Sequence, residues 1–167
     1  MPRPLWPLSL LALAGPAAGA ERGEVVLGAH ADWATPPVGE AAWATGAWIS
    51  LGLTDAFALQ ASGLVAEHAL SPEQPDQAAS LRITSLAGGL GYALDILSIS
   101  PFLDVQLGAL MRRDDRQRTD AQLIVTLGID WIVWEHGSVG LAAHWHEQLL
   151  HGASYFHGGP RLALRWP

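Results

Sequence analysis

The feature that most constrains this chain is a two-residue alternation of apolar and polar side chains. In the segment AQLIVTLGIDW, residues 121–131, the odd positions are all apolar, and the even positions are small or polar except for Ile124. An alternation with a period of two predicts a β-strand that has two unlike faces. The apolar face must therefore lie either against the core of a soluble protein or against lipid.

Similar alternation recurs along the rest of the chain in segments of about ten residues. It predicts eight strands, at residues 24–33, 43–53, 57–68, 81–94, 101–111, 121–131, 138–146 and 155–166. The connections alternate between long and short, and the charged stretch RRDDRQRTD, Arg112 to Asp120, is predicted to be a long loop. The predicted fold class is all-β, an eight-stranded antiparallel up-and-down transmembrane β-barrel.

Charged side chains are scarce, and this decides between a soluble protein and a membrane protein. They make up 15% of the chain, whereas an ordinary soluble domain carries about 25%. A soluble β-protein needs charges on its outward positions, and these strands have few. The chain contains no cysteine, so disulfides and lipid attachment through cysteine are excluded. A lysine-free chain of formal charge −7 is also a poor candidate for binding nucleic acid.

Aromatic residues are predicted at both ends of the strands. The predicted long-loop ends carry Trp33, Trp43, Trp145 and Phe156, and the predicted short-turn ends carry Phe57, Trp131, Trp134 and Trp166. Two aromatic rings that flank an apolar band are typical of a membrane barrel, which meets two interfaces. The apolar face is therefore predicted to contact lipid.

The first twenty residues, MPRPLWPLSLLALAGPAAGA, have the pattern of a secretory signal peptide. Arg3 precedes a short apolar run, Leu8 to Ala14, and the segment closes on the small residues Ala18 and Ala20. The run is too short for a membrane-spanning helix of about 20 residues. We therefore predict a cleaved signal peptide at 1–20 and a single barrel domain at 21–167.

The segments GLTDAFALQAS, GLGYALDILSISPFLDVQLG and PRLALRWP resemble parts of small eight-stranded outer-membrane barrels of Gram-negative bacteria. This group includes the OmpA-transmembrane-domain-like, OmpX-like and OmpW-like proteins. The resemblance implies an outer-membrane location, with outer-membrane lipid and lipopolysaccharide as partners. It also implies that the barrel-insertion machinery recognises the last strand, where Leu162, Leu164 and Trp166 match the family pattern. Pro167 departs from it, because in those families the aromatic residue ends the chain.

Charged residues are predicted to face the barrel interior near the short-turn end. They are Glu24, Asp104, Asp130, Arg161 and Arg165, and the two arginines are the only ones assigned inward. Opposite charges in a narrow interior should pair, so a plug of salt bridges is the preferred interpretation. The alternative is a polar gate.

Histidines are predicted to face the interior near the long-loop end. They are His30, His68, His144, His146 and His157, joined by Asp32, with His151 in the last loop. Closure places the seventh, eighth and first strands side by side, so His30, His144, His146 and His157 could converge. Imidazoles with a carboxylate suit zinc or copper. The alternative is that these histidines only hydrogen-bond their neighbours.

The leading functional hypothesis is a structural or surface-interaction barrel with a filled polar interior, without an assigned catalytic, metal or cofactor residue. The second is a barrel that binds or passes a small molecule or a metal ion through the histidine group. The third is a lipid A-modifying enzyme, because some such barrels carry a His-x-Ser arrangement. Here HWHEQ has no serine at that spacing, and Ser154 is only near His144 and His157 in sequence.

Overall fold

The barrel is closed and entirely antiparallel. The computed structural model describes residues 21–35, 40–69, 80–94, 96, 98–113, 117–150 and 152–167. The strands are β1 (Val25–Thr35), β2 (Ala42–Gly52), β3 (Phe57–Ala69), β4 (Ser80–Ala93), β5 (Ile99–Arg113), β6 (Gln117–Trp134), β7 (Gly137–Gln148) and β8 (Ser154–Trp166). Consecutive strands pair, and β1 pairs with β8, so the sheet has no free edge. The predicted fold class and the number of strands are confirmed. No helix of the described residues is long and apolar enough to cross a membrane.

The two faces of the strands differ as the alternation predicts. In β6 the Leu127 side chain is 59% exposed, whereas its neighbour Thr126 is 2% exposed. In β4, Leu86 and Leu90 point outward, while Ser85 is buried in the interior. The two unlike faces predicted from the alternation are therefore present on both strands. An apolar outer face around an interior that contains many buried polar side chains reverses the usual arrangement of a soluble domain.

The two predicted aromatic rings are confirmed. All eight of their residues lie on the outer face, with exposures between 40% and 63%. Trp33 lies opposite Trp43 across β1 and β2, with ring centroids 5.6 Å apart. At the other end Phe57 lies opposite Tyr92, with ring centroids 5.1 Å apart. The apolar band is therefore bounded on both sides by side chains that suit a membrane interface.

The short turn between β2 and β3 is held by one threonine. Thr54 Oγ1 accepts hydrogen bonds from the backbone N–H of Ala56, at 3.3 Å, and of Phe57, at 3.0 Å. Short polar side chains stabilise turns in this way. The predicted short connection between the strands at 43–53 and 57–68 is confirmed.

The predicted loop at Arg112 to Asp120 is largely wrong. β5 continues to Arg113 and β6 begins at Gln117, so most of this stretch pairs as a hairpin. The prediction relied on side-chain alternation, but strands that extend beyond an apolar band need only backbone pairing. Charged side chains are solvated there and give no signal with a period of two.

The extension of β5 also corrects the set of inward arginines. Arg112 follows the inward Leu110 by two positions, so it lies on the interior side of the strand, and its Nε is buried. Arg161 and Arg165 are therefore not the only arginines that face inward. The predicted signal peptide, residues 1–20, and His151 lie outside the described residues, so those two assignments stay predictions.

Candidate functional site

The five charged residues predicted to face the interior converge at the short-turn end. All of them line one cavity of about 60 Å³, and we call them the charged compartment: Glu24, Asp104, Asp130, Arg161 and Arg165. Arg161 Nε lies 3.2 Å from Asp130 Oδ1, in an ion pair whose two side chains are less than a tenth exposed. The predicted pairing of opposite charges is therefore confirmed for Arg161 and Asp130.

An aromatic layer lies beside this ion pair. The guanidinium carbon of Arg161 lies 3.9 Å from the centroid of the Trp48 ring and 4.1 Å from that of the Phe102 ring. A guanidinium over aromatic faces makes a cation–π contact, which is stronger when water is excluded. We call Trp48, Phe102 and Arg161 the aromatic–arginine layer.

Two inward glycines make room for these rings. A Cβ at Gly28 would lie 2.0 Å from the Trp48 ring, and a Cβ at Gly128 would lie 2.2 Å from the Phe102 ring. Each ring therefore lies against the bare backbone of a neighbouring strand. This layer was not among the predictions made from the sequence. An inward aromatic residue beside an inward glycine is the signal that could have revealed it.

Amide side chains from β3 and β5 meet across β4. Gln60 Nε2 donates to Asp104 Oδ1 at 3.0 Å, and Gln106 Nε2 donates to Gln60 Oε1 at 3.0 Å. Ser62 Oγ donates to Gln106 Oε1 at 2.5 Å. The intervening strand offers Gly91, where a Cβ would lie 2.6 Å from both Asp104 Oδ1 and Gln60 Nε2. Because Gly91 has no side chain, the hydrogen bond between Gln60 and Asp104 can pass over β4.

The predicted convergence of histidines is also confirmed. His30 Nδ1 and His157 Nδ1 both hydrogen-bond Asp32 Oδ2, the second at 2.6 Å, and His144 Nε2 lies 3.8 Å from the same oxygen. His146 Nε2 lies 2.7 Å from His157 Nε2. These residues are here called the histidine cluster: His30, Asp32, His144, His146 and His157.

The outer nitrogens of the cluster have partners of their own. His144 Nδ1 lies 2.9 Å from Thr126 Oγ1, and His146 Nδ1 lies 2.8 Å from Gln122 Oε1. Gln122 in turn donates to Ser85 Oγ at 2.5 Å and to the Ala109 carbonyl at 3.1 Å. The imidazoles are therefore oriented by residues of β4, β5 and β6. Hydrogen bonds of this kind fix the orientation of an imidazole ring and the nitrogen that carries its proton.

Two residues considered with the cluster lie outside it. His68 faces inward and is buried, but its Nδ1 lies 3.0 Å from the Glu40 carbonyl oxygen, and its ring meets Tyr155 edge-on. Ser154 is exposed on the outer face, and its Oγ donates to Glu147 Oε2 at 2.7 Å. Ser154 and the histidines of the cluster therefore lie on opposite faces of the barrel wall.

An apolar group packs in the interior beyond the histidine cluster. We call it the apolar cap: Ala34, Ala44, Leu64, Ala66, Leu81, Ile83, Leu110 and Tyr155. A filled polar interior was predicted, and these apolar side chains correct that expectation for this part of the barrel. Strand alternation shows which face a residue occupies but not its depth along the barrel, so it could not separate the cap from the polar layers.

The interior is filled in layers. The layers are the charged compartment, the aromatic–arginine layer, the histidine cluster and the apolar cap. Among the cavities between them, one of about 30 Å³ lies beside the histidines and another of about 60 Å³ lies beside the charges. One water needs about 10–15 Å³ measured in this way, so each cavity has space for a few waters or an ion.

The comparison with protein-family models and the comparison with curated protein sequences found no match for this chain. Among the solved structures that share its architecture are three outer-membrane proteins. The outer-membrane protein OprG of Pseudomonas aeruginosa is 10% identical, with a TM-score of 0.69 over 89% of this chain and 98% of that one. Neisserial surface protein A is 11% identical, with a TM-score of 0.65 over 86% and 96%. The N-terminal β-barrel domain of Pseudomonas aeruginosa OprF is 12% identical, with a TM-score of 0.63 over 87% and 98%.

These similarities concern the fold. The chain has the closed eight-stranded barrel that these outer-membrane proteins share, and the resemblance inferred from its sequence is confirmed at that level.

Proposed function

We propose that this chain is an integral outer-membrane β-barrel with a sealed interior, polar except at the apolar cap, and a structural or surface-interaction role. Its outer face supports a lipid environment, because large apolar side chains such as Leu107 and Leu127 are about three-fifths exposed there. Monomeric soluble proteins rarely expose continuous apolar surfaces of this kind. The closed sheet also leaves no strand edge unpaired. A lipid environment requires this, because each unpaired backbone group costs several kcal/mol in hydrocarbon.

The observation that carries the sealed interior is the position of Arg161. Its guanidinium lies against both Trp48 and Phe102 and forms an ion pair with Asp130. These side chains come from four different strands, β8, β2, β5 and β6. Their contacts therefore connect several sides of the barrel across its interior. Eight-stranded interiors are just wide enough for side chains to fill them. A filled interior favours a structural role over a transport role.

The proposed location is the outer membrane of a Gram-negative bacterium, reached by export with a cleaved signal peptide. The partners proposed with it are outer-membrane lipid, lipopolysaccharide and the barrel-insertion machinery. The outward Leu162, Leu164 and Trp166 of β8 support recognition of this last strand. A structural role is proposed in preference to lipid A modification, because Ser154 is directed to Glu147 on the outer face while the histidines face inward.

Conductance of the unmodified protein in planar lipid bilayers tests this proposal. The sealed interior predicts no steady ion conductance, and a porin inserted in the same bilayer is the positive control. The Arg161→Ala, Arg165→Ala double variant removes the guanidinium that lies against both rings and should conduct measurably more. A stable, large single-channel conductance of the unmodified protein would overturn the sealed-barrel proposal in favour of transport.

A further inference from the structure

We propose that His30, Asp32, His144 and His157 form a binding site for one zinc ion inside the barrel. One ligand atom from each of these four residues lies within 4.8 Å of the other three. The set is three imidazole nitrogens and one carboxylate oxygen, which suits zinc, whereas magnesium and calcium prefer oxygen ligands. This proposal does not depend on the structural role proposed above.

Two buried atoms of the group are without a hydrogen-bond partner among the described residues. They are Asp32 Oδ1 and His144 Nε2. His144 Nε2 faces Asp32 Oδ2 at 3.8 Å, which is too long for a hydrogen bond. Buried polar atoms are nearly always satisfied, so each exception requires an explanation. A cation between His144 and Asp32 would satisfy the imidazole nitrogen.

The hydrogen bonds that lead to Asp32 also require a cation. Gln122 donates its amide N–H to the Ala109 carbonyl, so its Oε1 accepts from His146 Nδ1. A neutral His146 then has a bare Nε2, which accepts a hydrogen bond from His157 Nε2. A neutral His157 then turns a bare Nδ1 toward Asp32 Oδ2 at 2.6 Å. Two acceptors at this distance need one added positive charge, either an extra proton on the chain of bonds or a metal ion.

Zinc can take the place of that proton once the ligand atoms, which lie within 4.8 Å of one another, move to tetrahedral separations. Tetrahedral zinc bonds of about 2.0–2.2 Å place ligand atoms about 3.3–3.6 Å apart. His157 Nδ1 lies closer than this to Asp32 Oδ2 and His144 Nε2 lies farther, at 2.6 Å and 3.8 Å. The adjacent cavity of about 30 Å³ is lined by His30, His144 and His157, so the rings have space to adjust.

The surroundings already orient the ligands as metal sites require. Metal-ligating histidines usually donate their second ring N–H to a neighbour. His144 has Thr126 Oγ1 for this purpose at 2.9 Å, and His157 has His146 Nε2 at 2.7 Å. Thr126 and His146 are therefore positioning residues. Four protein ligands leave no open coordination position, which is typical of a structural rather than a catalytic zinc site.

Metal content of the purified full chain tests the site. The chain is folded in detergent micelles, stripped with a chelator, dialysed against Zn²⁺ and analysed by mass spectrometry, with Mg²⁺ as the control metal. We expect about one zinc per chain and no bound magnesium. Asp32→Asn and His144→Gln should each weaken zinc binding at least tenfold, since each removes a ligand. His68→Gln is the matched control, because His68 is also buried and inward but lies outside the group.

Cobalt substitution of the unmodified chain gives a second measurement that requires no variant to fold. Four-coordinate Co²⁺ has intense visible bands, and zinc should abolish them by competition. Zinc below about a tenth of an equivalent per chain would overturn the proposal, as would weak six-coordinate cobalt bands. Equal loss of zinc in His68→Gln and His144→Gln would also overturn it. A protein that binds no zinc and shows no ion conductance in planar bilayers would contradict the zinc site but would agree with the sealed-barrel proposal.

Discussion

The charged compartment and the histidine cluster lie in one barrel, yet they balance buried carboxylates in different ways. In the charged compartment Asp130 is paired with Arg161, a permanent cation. In the histidine cluster Asp32 accepts hydrogen bonds from imidazoles, which carry a positive charge only when protonated and which, when neutral, can hold a metal cation instead. The first arrangement fixes its charges and suits a permanent plug. The second can exchange a proton for a metal ion, so it is the half of the interior in which a ligand is expected.

Removing one carboxylate from each half should give the largest difference between them. Asp130→Asn leaves the buried Arg161 guanidinium without its ion-pair partner, which should cost about 3–5 kcal/mol of folding free energy. Asp32→Asn leaves imidazoles that can be neutral, so without metal we expect about 1–3 kcal/mol for the lost hydrogen bonds. Denaturant-dependent folding into lipid vesicles, with a chelator present, measures both.

Asp55→Asn controls for the loss of an acidic side chain elsewhere. Asp55 is exposed in the turn between β2 and β3, so its substitution should change stability by less than about 0.5 kcal/mol. A larger loss for Asp32→Asn than for Asp130→Asn would break the proposed contrast between the two halves.

Most of the architecture could be predicted from the sequence. The alternation identified eight strands and their outward faces, because lipid and a packed interior impose opposite requirements on successive residues. It failed at Arg112 and Arg113, where β5 extends into a charged hairpin that needs no apolar face.

Less of the interior could be predicted. The alternation showed which histidines of β1, β7 and β8 face inward, and barrel closure made these three strands neighbours. The convergence of the four histidines could therefore be predicted. The contact between Arg161, Trp48 and Phe102 depends on how far each side chain reaches across the barrel, and the apolar cap depends on depth. Neither quantity is encoded in a pattern with a period of two.

The aromatic–arginine layer lies between the charged compartment and the histidine cluster, since Trp48 and Arg161 line the cavities of both. A single added methyl group can perturb this layer. Gly28→Ala places a Cβ 2.0 Å from the Trp48 ring, so the ring must move away from β1. Overpacking of this kind should cost about 1–3 kcal/mol, measured by the same folding titration.

Gly88→Ala is the matched control for that change. Gly88 lies on the outer face, and the nearest atom to its added Cβ is the Gln60 carbonyl oxygen at an ordinary 3.4 Å. We expect a change of less than about 0.5 kcal/mol. Equal costs for Gly28→Ala and Gly88→Ala would show that Trp48 does not lie against Gly28.

The free energy of folding into lipid vesicles, compared for two neighbouring positions of β6, tests most directly that the outer face meets lipid. Leu127→Arg puts a charge on the outer face, and near the bilayer midplane this should cost about 2–4 kcal/mol. Thr126→Ser changes an inward residue but keeps the hydroxyl that lies 2.9 Å from His144 Nδ1. It removes one methyl group, so we expect a cost of about 0.8 kcal/mol. Equal tolerance of the two substitutions would contradict a lipid-facing outer surface.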